Sequence, residues 1–355
     1  LDGELLAIKQ SDVKLNGWAV ESRLYAEDPY RNFLPSIGRL TRYRPPEEGT
    51  FGDVVIRNDT GVTEGSEISM FYDPMVAKLC TWAPTRIEAI DAMSEALDSF
   101  VVDGIEHNIP FLAALMQHPR WREGRLSTGF IAEEYPHGFA PIAPDAEEKA
   151  VLAAVATAME LLRRDRLDRL SGRLAPHSGI VKRDWVVKIG ADYLSAAVLE
   201  GMVSIPMEVD LSIDGGKPLT VASDWRPGDL IWRGTVGSNT VAAQVRPALN
   251  GLRIAWKGMS VMAQAMLPRT AELERLMPEK LPPDTSKMLL CPMPGLVVSI
   301  AVAEGQEVKA GETLAVVEAM KMENVLRAER DLTVSRLNAK PGDSLAVDAV
   351  IMEFA

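Results

Sequence analysis

The sequence predicts a multidomain α+β protein: an α+β unit, then an antiparallel β-barrel around a long buried helix, then a small flattened β-barrel. Three observations carry this. Residues 1–140 mix strand-like runs with two helix-patterned segments. Residues 150–162 are apolar on nearly every helical face and precede many short strand runs divided by turn residues. In the last segment one strand plan occurs twice, at a spacing of 37 residues between Gly305 and Gly342.

The chain has 355 residues, enough for two or three cores, and its 47% apolar and 25% charged content is that of a soluble protein. A net charge of −12 disfavours nucleic acid or an anionic membrane as main partner. Cys80 and Cys291 are the only cysteines and lack metal-ligand spacing, which fits a reducing compartment without disulfides. The longest uncharged apolar run, 150–159, is too short to cross a bilayer. The chain starts Leu-Asp-Gly-Glu, without an initiator methionine or signal peptide, so it reads as part of a longer polypeptide.

In the first unit, 17–25 reads as a strand, followed by a loop at Ala26-Glu27-Asp28-Pro29 and a turn-rich segment at 33–38. Residues 54–57 and 68–72 also read as strands. A helix over 85–100 carries Ile87, Ile90, Ala92, Met93, Ala96 and Leu97 along one stripe, and Thr85 with Glu88 forms a capping box. A second helix covers 108–116.

The middle segment, 141–283, opens on the linker Pro141-Ile142-Ala143-Pro144, and Asp145 with Glu148 caps a helix running to Leu170. Val151, Leu152, Val155, Met159, Leu161 and Leu162 clothe it on all sides, so protein must surround it. Its far end, Arg163-Arg164-Asp165-Arg166, is solvated and suits a helix C-terminus. From 180 to 267, turn signals recur at Gly190, Glu200-Gly201, Asp214-Gly215-Gly216, Gly237, Asn250-Gly251 and Lys257-Gly258. Asn-Gly is the strongest of these, as a type I′ hairpin. About eight hairpin-linked strands wrapped around the helix follow from this pattern. Trp225, Trp232 and Trp256 read as barrel packing, and His177 alone makes no metal site.

After the stiff linker at 281–286, strands at 296–302 and 313–317 are repeated at 332–337 and 349–354, with turns at Glu304-Gly305 and Pro341-Gly342. Leu314 then falls on Ile351. Two copies imply a pseudo-symmetric flattened barrel, with Glu318-Ala319-Met320-Lys321-Met322-Glu323-Asn324 at an exposed hairpin between them. A surface lysine is usually only a solvated charge. Two methionines beside it change that reading, because long apolar residues at a turn tip have no packing reason to be there.

That heptapeptide in its duplicated frame resembles the attachment site of biotin-carrying domains. The resemblance implies biotin linked to Lys321, with Glu318, Ala319, Met320 and Met322 forming the recognised hairpin. A lipoyl group on a similar fold is the alternative, but that family has an acidic residue and an alanine around its lysine.

Residues 1–140 resemble the C-terminal subdomain of biotin carboxylase. The resemblance rests on Glu21-Ser22-Arg23-Leu24-Tyr25-Ala26-Glu27-Asp28-Pro29, Leu34-Pro35-Ser36-Ile37-Gly38-Arg39-Leu40, Tyr72-Asp73-Pro74-Met75-Val76-Ala77-Lys78-Leu79 and Asp103-Gly104-Ile105-Glu106-His107-Asn108. It implies that Arg23 contacts the biotin ureido oxygen, where a fixed guanidinium would stabilise developing negative charge. Without it, Arg23 is a strand arginine paired with Glu21 or Asp28. Asp73 would border the same pocket and Phe130 would approach a nucleotide base. The family's Gly-rich phosphate loop, metal-binding glutamates and Glu-Asn-Arg cluster precede this stretch and are not in the sequence, so these residues alone are not expected to turn over ATP.

The middle segment resembles the linking domain of acyl-CoA carboxylase α subunits, which docks the partner through its helix-to-strand loop. Here that loop is 171–182, with Arg173, His177 and Gly179; the plain alternative is an ordinary surface connection. The whole order resembles a biotin-dependent acyl-CoA carboxylase, and Leu276-Met277-Pro278-Glu279-Lys280 with Asp284-Thr285-Ser286 favours the propionyl-CoA members. The resemblance implies ATP, bicarbonate and Mg2+ or Mn2+ in the intact subunit, a carboxyltransferase β subunit holding the acyl-CoA, and a biotin protein ligase. It also implies the bacterial cytoplasm or the mitochondrial matrix. A 3-methylcrotonyl-CoA or acetyl-CoA carboxylase, or a carrier and assembly protein without catalysis, are the alternatives.

Overall fold

The structure, a computed structural model, describes residues 3, 7–69, 71–172, 183–278, 285–319 and 322–355. Its apolar side chains gather into three cores, one in each of the three segments.

The N-terminal unit is built on a four-stranded antiparallel sheet of β1 (Trp18–Tyr25), β2 (Gly49–Phe51), β3 (Val54–Thr60) and β4 (Met75–Ala83), in the order β1-β4-β3-β2. Strand alternation decides its faces. Ser22 and Leu24 of β1 and Ala77, Leu79 and Thr81 of β4 point inward, while Glu21 and Arg23 point to solvent. Helix α1 (Arg86–Asp98) covers the inner face with Ala89, Ile90, Met93, Ala96 and Leu97. Its capping box is as expected: Thr85 Oγ1 accepts from the Glu88 amide and Glu88 Oε2 accepts from the Thr85 amide. Ile87, however, lies off the stripe and is 42% exposed. The strand expected over 68–72 is only Glu67–Ile68, because Phe71 and Tyr72 turn outward before Pro74, which has no amide to give a ladder. Helix α2 (Ile109–Gln117) completes this core.

The middle segment is a closed barrel around a helix. Helix α3 (Ala146–Asp168) has 23 residues, about 35 Å, and starts at the expected Asp145–Glu148 box. It ends shortly before Leu170, where expectation placed it. Every residue from Val151 to Met159 is buried, with Leu161 and Leu162. Ala153, Ala154, Ala156 and Ala158 let strands approach it closely. The strands are β5 (Asp184–Ile189), β6 (Asp192–Met202), β7 (Met207–Ile213), β8 (Leu219–Ser223), β9 (Ile231–Val236), β10 (Asn239–Ala248), β11 (Gly251–Trp256) and β12 (Met259–Met266). They pair in chain order, and β5 closes on β12. Trp232 and Trp256 pack inside, and Trp225 lies against that core.

Two turn expectations are corrected. Glu200 and Gly201 are ladder residues inside β6, paired with Asp210 and Val209 just after a bulge at Leu199, and a Cβ on Gly201 would sit 2.4 Å from the Glu208 carbonyl oxygen. Asn250-Gly251 is not the two-residue loop; Leu249-Asn250 is, and Gly251 already pairs with Ala248. Lys257-Gly258 is a two-residue loop with both residues at positive φ, 51° and 83°, between the paired Trp256 and Met259.

That loop is also the main fastener between barrel and N-terminal unit. A Cβ on Gly258 would sit 2.7 Å from Ala114 N and Pro110 O of α2, so only glycine allows this approach. Beside it the Lys257 amide donates to Asp98 Oδ1 at 2.8 Å. Arg233 reaches Ser99, Gln244 Nε2 donates to the Phe100 carbonyl, and Arg246 pairs with Asp103. The barrel thus grips the stretch just after α1. Burial pushes the Asp98 carboxyl well above its ordinary range, while the Lys257 amide acts against that shift. A carboxyl raised by folding contributes fully below about pH 4 and loses that contribution as pH rises through its folded value. Asp98→Asn keeps an acceptor and removes the charge. Its thermal midpoint should therefore gain on the parent's as pH rises from about 4 to 8; a gap independent of pH would contradict this.

Among its described residues the C-terminal segment has eight strands: β13 (Met288–Leu290), β14 (Gly295–Ile300), β15 (Glu307–Val308), β16 (Thr313–Ala319), β17 (Met322–Arg327), β18 (Leu332–Leu337), β19 (Ser344–Leu345) and β20 (Val350–Phe354). Two sheets run β13-β20-β18-β15 and β17-β16-β14-β19. The 37-residue shift maps β14, β15 and β16 onto β18, β19 and β20, and exchanges the two sheets. Even the bulges correspond, Val297/Ser299 with Val334/Arg336. Equivalent positions carry the core: Val297 with Val334, and Leu314 with Ile351, all at most 1% exposed.

Candidate functional site

Among the described residues, the candidate positions named from the sequence fall mainly in two places. The first is the hairpin of β16 and β17, whose last described pair is Ala319 with Met322. Ala319 is buried beneath the tip, while Glu318 faces Glu323 across the ladder, both exposed. Like charges directly opposed weaken a hairpin, so this pair adds nothing to local stability. Met320 and Lys321 lie outside the described residues, as does the side chain of Met322. The pseudo-symmetry fixes where this hairpin sits. Its counterpart under the 37-residue shift is the pairing of β13 with β20, where the segment joins the rest of the chain. The hairpin and the tether therefore occupy opposite ends of the small barrel.

The second place is the solvent face of the N-terminal sheet. Cross-strand register sets Glu21, Cys80 and Arg57 in one row across the three strands, and Arg23, Lys78 and Asp59 in the next. Arg23 Nε donates to Glu21 Oε1 at 3.0 Å, and the Arg23 side chain is 56% exposed. The Glu21 carboxylate, then the Tyr25 phenol, raise the Arg23 guanidinium above its already high ordinary value, so it stays charged. Arg57 pairs likewise with Asp59 at 2.6 Å. Burial, then the Glu21 charge, push the Cys80 thiol up, which makes it a poor nucleophile. The face offers fixed guanidinium donors and no activated nucleophile.

Asp73 is exposed and its Oδ1 accepts from the Met75 amide, shaping the turn before β4. It also adds to the raised pKa of Glu27, behind the larger effect of that side chain's own burial. Phe130 does not meet its expectation. It is 4% exposed, edge-on to His118 with the Arg120 guanidinium over its ring, and so packs in the core. Arg173, His177 and Gly179 lie outside the described residues. Strand periodicity in the sequence places Glu21, Arg23 and Tyr25 on one face, but gives no sign of Cys80, Lys78, Arg57 or Asp59 beside them.

Three family models match in order along the chain: the biotin carboxylase C-terminal domain over 21–133, the propionyl-coenzyme A carboxylase BT domain over 152–280, and the biotin-requiring enzyme domain over 287–354. The propionyl-CoA carboxylase alpha chain of Ruegeria pomeroyi is 52% identical over 99% of this chain and 53% of its own length. By these matches the chain is similar to the biotin-dependent acyl-CoA carboxylases. It is also 35% identical to the human mitochondrial propionyl-CoA carboxylase alpha chain, over 99% of this chain and 48% of that one. The mouse methylcrotonoyl-CoA carboxylase alpha subunit is less similar, 27% over 99% of this chain and 49% of its own length. The chain thus spans about half the length of the curated relatives it matches. Biotin is the cofactor that this carboxylase family's carrier domain takes. The exposed hairpin opposite the tether fits a covalently attached, mobile group.

Proposed function

We propose that this chain is the C-terminal half of a propionyl-CoA carboxylase α subunit, carrying biotin on Lys321. The observation that carries the reading is the position of the β16–β17 hairpin, at the far end of a duplicated barrel from its tether. A group joined there sweeps the widest arc the domain allows, and tethering holds it at an effective concentration of order millimolar at either reaction site.

Bound biotin supplies a ureido nitrogen that takes up and gives up a carboxyl group. The chain's residues do the rest of the work assigned here. Lys321 provides the amine for the amide linkage, with Glu318, Ala319, Met320 and Met322 as the surface a biotin protein ligase reads. Opposed Glu318 and Glu323 support that role, since they cost local stability. Arg23 directs guanidinium donors at the ureido oxygen where negative charge grows, and Glu21 orients it. ATP, bicarbonate and a divalent metal act in the part of the full-length subunit outside this sequence. The carboxyltransferase β subunit holds propionyl-CoA, and the barrel segment docks it through 171–182 with Arg173, His177 and Gly179. The bacterial cytoplasm or the mitochondrial matrix is the expected location. Among the described residues no helix is long and apolar enough to cross a membrane.

Assays of the assembled α and β subunits with propionyl-, acetyl- and methylcrotonyl-CoA test the substrate. Propionyl-CoA should give the highest kcat/KM, and a preference for either of the others would overturn that assignment. Docking is tested by replacing 171–182 with a Gly-Ser segment of equal length. Co-purification with the β subunit should be lost while biotin stays attached; unchanged assembly would refute the docking role.

A further inference from the structure

β1 is an edge strand: β4 lies on one side of it, and among the described residues no strand lies on the other. At its end the ladder slips, with Leu24 opposite Ala77 but Tyr25 opposite Met75. An edge at a register slip is where a strand is least well held. On that open edge Asn108 meets β1 with three hydrogen bonds. Its Oδ1 accepts from the Tyr25 amide at 2.9 Å, its Nδ2 donates to the Arg23 carbonyl at 3.1 Å, and its own amide donates to the Tyr25 carbonyl at 3.2 Å. Asn108 is 5% exposed.

The position makes this use of the side chain informative. Asn108 is the N-cap of α2, where asparagine ordinarily satisfies the first helical amides, yet its side chain makes no cap bond. It spends both halves of its amide on β1. Only a carboxamide presents an acceptor and a donor in the geometry of a peptide group. Asn108 thus stands in for one residue of a missing neighbouring strand, on both sides of Leu24, which anchors β1 to the core at 1% exposure. Together these fix the backbone from which the Arg23 side chain leaves the sheet.

We propose that Asn108 is a positioning residue for biotin carboxylation, acting through Arg23 by holding its backbone in register. This rests on the role assigned above to Arg23. A guanidinium that stabilises charge must sit within a fraction of an ångström of its place, so a loosened strand end costs turnover rather than binding of other substrates.

The test is a double-mutant cycle in a full-length α subunit, reading ATP-dependent carboxylation of free biotin. Asn108→Asp keeps the acceptor for Tyr25 and loses the donor to Arg23. It should lower kcat about tenfold with KM for ATP within about twofold. In an Arg23→Ala background the same substitution should cost less than about twofold more, because the group it positions is gone. Independent, multiplying losses would overturn the positioning role and leave Arg23 catalytic. An Arg23→Ala enzyme with normal turnover would instead remove the role of Arg23 itself. Should Asn108→Asp fail to fold, amide exchange in the unsubstituted subunit decides. Protection of the Tyr25 amide equal to that of the β4 ladder supports the clamp, and exchange at the rate of an open edge overturns it.

Discussion

Replacing Arg23 with alanine in a full-length α subunit is expected to slow carboxylation of biotin by about 10²-fold or more. The size follows from the kind of work proposed. Removing one preorganised donor to a developing oxyanion typically costs about 10²–10³ in rate. Arg23 suits that work because Glu21 already holds its Nε at 3.0 Å, so the planar fork is oriented before substrate arrives. Arg23→Lys should recover only part of the loss, since an ammonium is a point charge without the fork. Stability should change little: the pair is solvent-facing, where water and salt screen it. Near-normal turnover of Arg23→Ala would return the residue to the plainer reading, an ion-paired arginine on a strand.

Lys321→Arg should have a larger effect still. It keeps the positive charge and removes the amine that forms the amide, so it separates attachment from electrostatics. Biotin should be absent, and acyl-CoA carboxylation by the assembled complex should fall to background. The carrier should remain folded, because its core is built from Val297, Leu314, Val317, Val334 and Ile351, away from the hairpin tip. Retained biotin in this variant would refute the attachment site.

Much of this architecture can be read from local pattern. The 37-residue spacing of Gly305 and Gly342 foretells a barrel whose sheets exchange under the same shift, because each copy repeats the same turn and inward-facing residues. The all-round apolar helix, followed by strand runs divided by turn residues, foretells a surrounding barrel, since protein must cover every face of Val151 to Leu162. What escapes the sequence is contact between distant segments. Nothing near Asp98 announces the Lys257 amide, 159 residues away, and nothing in Asp103-Gly104-Ile105-Glu106-His107-Asn108 shows that its last side chain holds β1. Local rules also mislead where a glycine serves packing instead of a turn. Gly251 follows Asn250 as a hairpin signal would have it, yet its absent Cβ makes room for the Ala263 carbonyl oxygen, 2.5 Å from where that atom would be.

Tandem mass spectrometry of the purified, full-length α subunit addresses the proposed function most directly. Biotin should be found on the peptide spanning β16 and β17, with the added mass on Lys321 and on no other lysine. An unmodified Lys321 in a subunit that still supports acyl-CoA carboxylation would contradict it.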